Sequence, residues 1–178
     1  MYQLEVKRHL VKLMFLPSSG WKVTVDIDAM ERAKGGSHPD GKAAVAAESE
    51  RWLREAGVSI GVHPRFGRAD LVAEGSDGQL YVFEIEGNSS KQKEQALYSA
   101  LGQLLLLMNE DRPTTRFGLA VPDSPQWEKQ LMKVPTSVGR RLNLSLFLVS
   151  PTGVRQALAS WPNPAVERRA LQATRPSP

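Results

Sequence analysis

Three acidic residues, Asp70, Glu84 and Glu86, stand where they could bind a metal ion. Glu84 and Glu86 end the apolar segment 80–86, which alternates as a β-strand does. Side chains of a strand point to opposite faces in turn, so both carboxylates share the face of Leu80 and Val82. Two carboxylates at the end of an apolar strand face carry a desolvation cost, which a bound cation would offset.

Asp70 belongs to the segment 68–73, which reads as the preceding strand. The residues between the two strands, 75–78, have the composition of a tight turn. An antiparallel pair joined by this turn would place Asp70 beside Glu84. The sequence therefore predicts a site for a hard metal ion, built from the sheet itself.

Composition narrows the class of protein. The chain has 178 residues, 41% of them hydrophobic, which suits one domain with a substantial core. It contains no cysteine, which excludes disulfides and thiolate zinc sites and favours a reducing, cytoplasmic location. Segment 1–16 is interrupted by charged residues, and no apolar run is long enough to cross a bilayer, so we expect neither a signal peptide nor a membrane association.

Charge is unevenly distributed. From Arg112 onward there are ten Lys and Arg residues against three Asp and Glu, while the preceding residues carry 13 against 16. A basic region beside a carboxylate cluster suits a polyanion held next to bound metal. The alternative, that the basic surface serves only solubility, stays open on composition alone.

The predicted elements form one domain over residues 1–161, with a flexible tail at 162–178. An N-terminal β-hairpin extension (1–34) precedes a core at 42–149. The predicted helices are 42–56, 91–109, 125–132, 137–142 and 153–160, and the predicted core strands are 58–63, 68–73, 79–86, 116–121 and 144–149. This order indicates an α/β fold, a central mixed β-sheet flanked by helices.

The order of elements and the acidic motif together resemble the PD-(D/E)XK nucleases, the restriction-endonuclease-like fold. The resemblance covers about residues 42–149. Arg68-Ala69-Asp70 stands at the family's Pro-Asp, and Glu84-Ile85-Glu86 stands at its (Asp/Glu)-x-Lys. Glu48, on the first core helix, and Gln103, on the second, match positions that many members use. The departure is Glu86, which replaces the family lysine; Lys91 or Lys93 could supply a migrated cation.

The resemblance implies an endonuclease that cuts DNA with Mg²⁺ or Mn²⁺. Asp70 and Glu84 would be the primary ligands, together with the carbonyl of Ile85. Glu86 would bind a second metal ion or position water, and Glu48 would act through water or a second ion. Gln103 would orient a phosphate or a ligand carboxylate. Related nucleases also suggest a homodimer, and a protein partner could supply target recognition, because no base-reading module is visible.

A different class of function stays open. The missing lysine would suit a noncatalytic module that keeps the fold and uses it to bind nucleic acid or to assemble with other proteins. Asp70 could then simply pair with Arg65 or Arg68, and Glu84 and Glu86 could face solvent. Three clustered carboxylates without a cation repel one another, which counts against this alternative.

Overall fold

A seven-stranded mixed sheet organises the protein in the computed structural model, which describes residues 1–34, 38–88, 92–108 and 115–164. The strands are β1 (Lys22–Val25), β2 (Ser59–Ile60), β3 (Leu71–Glu74), β4 (Leu80–Ile85), β5 (Thr115–Pro122), β6 (Leu144–Val149) and β7 (Val154–Leu158). Their order in the sheet is β2-β1-β3-β4-β5-β6-β7. β4, β5 and β6 run parallel, whereas β3 is antiparallel to both of its neighbours.

Five helices accompany the sheet in the described part of the chain: α1 (Gln3–Met14), α2 (Lys42–Glu55), α3 (Lys93–Leu107), α4 (Pro125–Leu131) and α5 (Thr136–Arg141). The predicted α/β class, a mixed sheet flanked by helices, is confirmed. The order of β3, β4, α3, β5 and β6 is consistent with the restriction-endonuclease-like core that the resemblance implies.

The predicted N-terminal hairpin is wrong, because its first arm is helix α1. Leu4, Leu10, Val11 and Met14 recur at helical spacing and are buried, so α1 belongs to the core rather than to an extension. The Glu5 carboxylate accepts a hydrogen bond from the backbone N–H of residue 2 (2.7 Å), which satisfies one of the free donors at the helix start. Only the second arm of the hairpin, β1, is a strand.

Each face of the sheet buries its own apolar layer. On one face, Phe83, Ile85 and Phe147 pack with α1 and α2 side chains such as Leu10 and Leu53. On the other, Val82, Leu119 and Leu146 pack with side chains of α3 and α4, among them Leu97 and Trp127. Burying both faces explains why β4, β5 and β6 read as nearly continuous apolar runs.

The second correction concerns residues 153–160, predicted as a helix. Most of this segment is β7, an antiparallel edge strand on β6. Val154, Gln156 and Leu158 alternate with more exposed residues, which is the pattern of a half-buried strand. Of the predicted flexible tail, residues 165–178 lie outside the described residues. Trp161, just before the tail, is buried against Phe147 and Tyr81.

Three strand ends meet at one side of the sheet. β1 ends at Val25 and β4 ends at Ile85, while β3, which lies between them and runs the other way, begins at Leu71. Asp26, Asp70 and Glu86 are the residues directly beyond these ends. The topology thus gathers acidic residues from distant parts of the sequence at one edge of the fold.

Candidate functional site

A cavity of about 570 Å³ opens at these strand ends. Carboxylates dominate its lining, with amide and apolar side chains from α1 and α3 opposite them. The lining includes Gln3, Asp26, Glu31, Arg68, Asp70, Glu84, Ile85, Glu86 and Gln103. The cavity therefore has a strongly acidic wall.

The predicted pairing of Asp70 with Glu84 is confirmed by the register of the strands. Leu71 lies opposite Phe83 in the antiparallel ladder, so Asp70 falls level with Glu84. The two carboxyl groups are close enough to interact directly. The backbone N–H of Ile85 donates to Asp70 Oδ2 at 2.8 Å, which fixes the orientation of the Asp70 carboxylate.

Burial and the negative charge of Asp70 raise the pKa values of the two carboxyl groups at the end of β4. Burial, together with the negative charge of Asp70, raises the pKa of Glu84 to about 9. The same two causes, burial first, raise the pKa of Glu86 to about 7, against a smaller opposing effect of Lys93. Carboxyl groups with raised pKa values in a cleft are typical of functional sites, since a cation or a proton must compensate their charge.

Sequence analysis missed Lys7 and Glu31, which complete this cluster. The Lys7 side chain, on α1, is fully buried, and its Nζ lies 2.7 Å from Asp70 Oδ1 and 2.8 Å from Glu31. Burial alone would lower the pKa of Lys7, but its ion pairs with Asp70 and Glu31 outweigh burial and raise it. One signal was available: Lys7 occupies the position between Leu4 and Val11 on the apolar stripe of a helix, where a charged residue needs a buried partner.

The structure brings most of the predicted site residues together. Asp70, Glu84, Ile85, Glu86 and Gln103 all line the cavity, the last from the C-terminal half of α3. Their predicted chemical roles stay predictions, because the geometry alone tests none of them.

Glu48 and Lys93 do not line the cavity. Glu48 is more than half exposed on α2 and pairs with Arg8 at 2.8 Å, so its carboxylate is directed to a different surface. Lys91 lies outside the described residues. The ammonium of Lys93 stands over the ring of Trp127, 5.2 Å from its centre, and lines a separate groove between α3 and α4.

The oxygen donors of the cavity suit a hard divalent metal ion. Among residues 1–34, 38–88, 92–108 and 115–164, no group of three or more His, Cys, Asp or Glu side chains is arranged to hold a metal ion. Mg²⁺ needs only one or two carboxylates because it keeps several waters. Asp70 and Glu84 supply that number, and hard oxygen ligands favour Mg²⁺ or Mn²⁺ over softer metals.

The contacts of Asp70 also show how an ion could reach it. The Gln3 amide Nε2 lies 3.2 and 3.3 Å from the two Asp70 oxygens, which makes these the longest contacts of that carboxylate. Gln3 lines the cavity, whereas Lys7 lies behind it. A cation entering from solvent would therefore displace the Gln3 amide and leave the Lys7 ion pair in place.

No helix in the described ranges is long and apolar enough to cross a membrane. No protein-family model matches the chain, and no curated protein matches it either. Among solved structures, the crystal structure of an XisH family protein from Nostoc punctiforme is similar, with a TM-score of 0.43 and 16% sequence identity. The match covers 85% of this chain and 97% of that chain. At this level the likeness assigns neither a family nor an activity.

Proposed function

We propose that this protein is a metal-dependent nuclease that hydrolyses DNA phosphodiester bonds in the acidic cavity. The observation that carries the proposal is the pair Asp70 and Glu84, set side by side at the wall of an open cavity, where burial and the charge of Asp70 raise the pKa of Glu84 to about 9. A protein that used these residues only for stability would gain by replacing a buried, repelling pair with neutral side chains.

Each residue of the cavity has a role in this proposal. Asp70 and Glu84 would hold the ion, and the carbonyl of Ile85 would supply a further oxygen. A bound Mg²⁺ or Mn²⁺ lowers the pKa of water and neutralises charge that develops on a phosphate. Glu86 accepts a hydrogen bond from the attacking water and so orients it toward phosphorus. Gln103 donates its amide N–H to a phosphate oxygen.

Glu86 therefore takes over the orienting role at the position where the resembling family has lysine. Lysine donates hydrogen bonds and carries positive charge, whereas a carboxylate accepts hydrogen bonds, so the two residues hold a water in opposite senses. If Glu86 orients the water, Glu86→Lys abolishes cleavage, whereas Glu86→Gln, which still accepts hydrogen bonds, retains part of it. Cleavage that survives or rises in Glu86→Lys would show that Glu86 only fills a vacated position.

Recognition of the DNA backbone would use basic side chains near the mouth of the cavity. Arg68 lines the cavity, and its side chain is 70% exposed although its guanidinium contacts Asp26 at 3.0 Å. Exposed pairs of this kind are weak, so a DNA phosphate could exchange with Asp26 for this guanidinium. By contrast, Arg155, in the basic C-terminal region, is already held by both Asp123 and Glu128.

Plasmid cleavage with Mg²⁺ or Mn²⁺ tests the proposal directly. Asp70→Ala and Glu84→Ala should each abolish cleavage while circular dichroism shows a retained fold. Glu128→Ala, which removes an exposed and ion-paired carboxylate far along the chain, is the matched control and should cut as the wild type does. Glu48→Ala measures separately the role that the resemblance implies for Glu48. Wild-type protein that ignores both metal ions would refute the proposal.

The noncatalytic alternative has one observation in its favour. The Lys7 ammonium already compensates Asp70 from inside the protein, so part of the acidic cluster is stable without a metal ion. On this alternative the protein binds DNA or a protein partner without cutting. DNA binding that persists unchanged in Asp70→Ala and Glu84→Ala, with no cleavage in any variant, would support it.

A further inference from the structure

Lys7 is a charged side chain of this cluster to which the proposed function assigns no role. It is fully buried and does not line the cavity, whereas its ion-pair partners Glu31 and Asp70 do. A buried lysine normally shifts toward its neutral form, so one that stays charged must be held by nearby negative charge. Its retention on an otherwise apolar helix face points to a role in the electrostatics of the cluster.

The ammonium of Lys7 has no donor left for water or substrate. It donates to the carbonyl oxygen of Asp26 at 2.6 Å and to Glu31 Oε2 at 2.8 Å, and it lies 2.7 Å from Asp70 Oδ1. An ammonium group has three N–H donors, and these contacts use all of them. Lys7 therefore cannot orient a nucleophilic water itself, and it acts only through the residues that it holds.

Two of those residues, Asp70 and Glu31, are carboxylates that a second metal ion could use. Ions in two-metal sites lie about 3.5–4 Å apart and are bridged by a shared carboxylate. On Asp70, Oδ1 faces Lys7 and Oδ2 faces the backbone N–H of Ile85. Both oxygens of Glu31, a further carboxylate of the cavity, lie 2.8 Å from the Lys7 ammonium. A second ion bound between Asp70 and Glu31 would have to displace a buried cation from both partners.

We infer that Lys7 is a built-in cation that positions Asp70 and takes the place of a second metal ion, so that the cavity binds a single divalent cation. The inference rests on the proposed function, because both concern the same ion site, and it adds the number of ions that the site binds. Positive charge held inside the cluster repels a second cation and leaves one divalent ion to complete neutralisation.

The test counts bound ions rather than cleavage. Mn²⁺ is titrated into the full chain, and bound ion is measured by electron paramagnetic resonance and by calorimetry. The wild type should bind one Mn²⁺ per chain. Lys7→Met keeps much of the side-chain volume and removes the charge, so it should bind a second Mn²⁺ or bind the first at least about tenfold more tightly. Lys22→Met, which removes an exposed lysine paired with Glu74, is the matched control and should behave as the wild type does.

Two results would overturn the inference and leave the proposed function standing. One is a wild type that binds two Mn²⁺ ions per chain. The other is a folded Lys7→Met variant that binds the same number of Mn²⁺ ions as the wild type with the same affinity. A wild type that binds no Mn²⁺ would overturn the inference and the proposed function together. If Lys7→Met does not fold, as judged by circular dichroism, the count on the wild type alone decides, because one ion supports the inference and two refute it.

Discussion

Replacing Glu84 with glutamine should make the metal-free protein more stable at alkaline pH. The side chain is almost fully buried and interacts with an oxygen of the Asp70 carboxylate, and both burial and the charge of Asp70 raise its pKa, so folding favours the protonated form. Glutamine has nearly the same shape, carries no charge, and can donate its amide N–H to the same oxygen. Glu84→Gln thus keeps the contact and removes the cost of ionisation.

The size of the expected change in the free energy of unfolding follows from the pKa shift of Glu84. Folding raises the pKa of Glu84 from 4.5 to about 9, so between these values the folded protein binds a proton that the unfolded chain has lost. Stability therefore falls as pH rises through this window, by about 1.4 kcal/mol for each pH unit at most. Because Asp70 and the surrounding structure share the effect, we expect a total loss of about 2 to 4 kcal/mol between about pH 5 and pH 8.

Urea unfolding at about pH 5 and pH 8, in the presence of a chelator, measures this effect. Wild type and Glu84→Gln should be close at the acidic value, and the variant should be more stable by about 2 to 4 kcal/mol at the alkaline one. Glu128→Gln, at an exposed glutamate, controls for the substitution itself. A Glu84→Gln variant that is less stable than the wild type at pH 8, or that shows the same pH slope, would refute the electrostatic account of this site.

Three further predictions concern stability elsewhere. Hydrogen bonds from Arg32 lower the pKa of Glu50 to about 2, so the ionised carboxylate stabilises the fold above pH 4.5, and this stabilisation is lost as the pH falls through about 2. In urea unfolding, Glu50→Gln should therefore lower the free energy of unfolding by about 1 to 2 kcal/mol at neutral pH and have little effect at about pH 2. Gly118→Ala should cost about 1 to 3 kcal/mol in the same assay, because its methyl group would collide with the ring of Phe83. Gly102→Ala, within α3 and with open space around it, should instead raise the midpoint of thermal unfolding through a gain of about 0.5 to 1 kcal/mol.

The sequence was informative where local pattern and tertiary environment agree. β3 and β4 are two short apolar segments joined by a short turn, so their pairing, and with it the neighbourhood of Asp70 and Glu84, followed from composition and loop length. The parallel strands β5 and β6 are apolar runs, which is typical of strands covered on both faces.

Prediction failed where a tertiary partner decides the structure. The apolar stripe of α1 is interrupted by Lys7, whose burial makes sense only once Asp70 and Glu31 are in place, so the helical period was hidden. β7 is short and polar on one side, and it is a strand because β6 offers it a free edge. The full site could not be predicted for the same reason, since α1 and the segment after β1 contribute to it from outside the recognised motif.

The assembly of the cavity from separated segments has a consequence for synthesis on the ribosome. Gln3 and Asp70, which touch in the finished protein, are 67 positions apart in the chain. At translation speeds of about 5–20 residues per second, α1 waits roughly 3 to 13 s for its partner to be made. During that interval Lys7 lacks the Asp70 carboxylate and must remain hydrated. The acidic cavity can form only after β4 has emerged, so an unfinished chain lacks the complete carboxylate cluster.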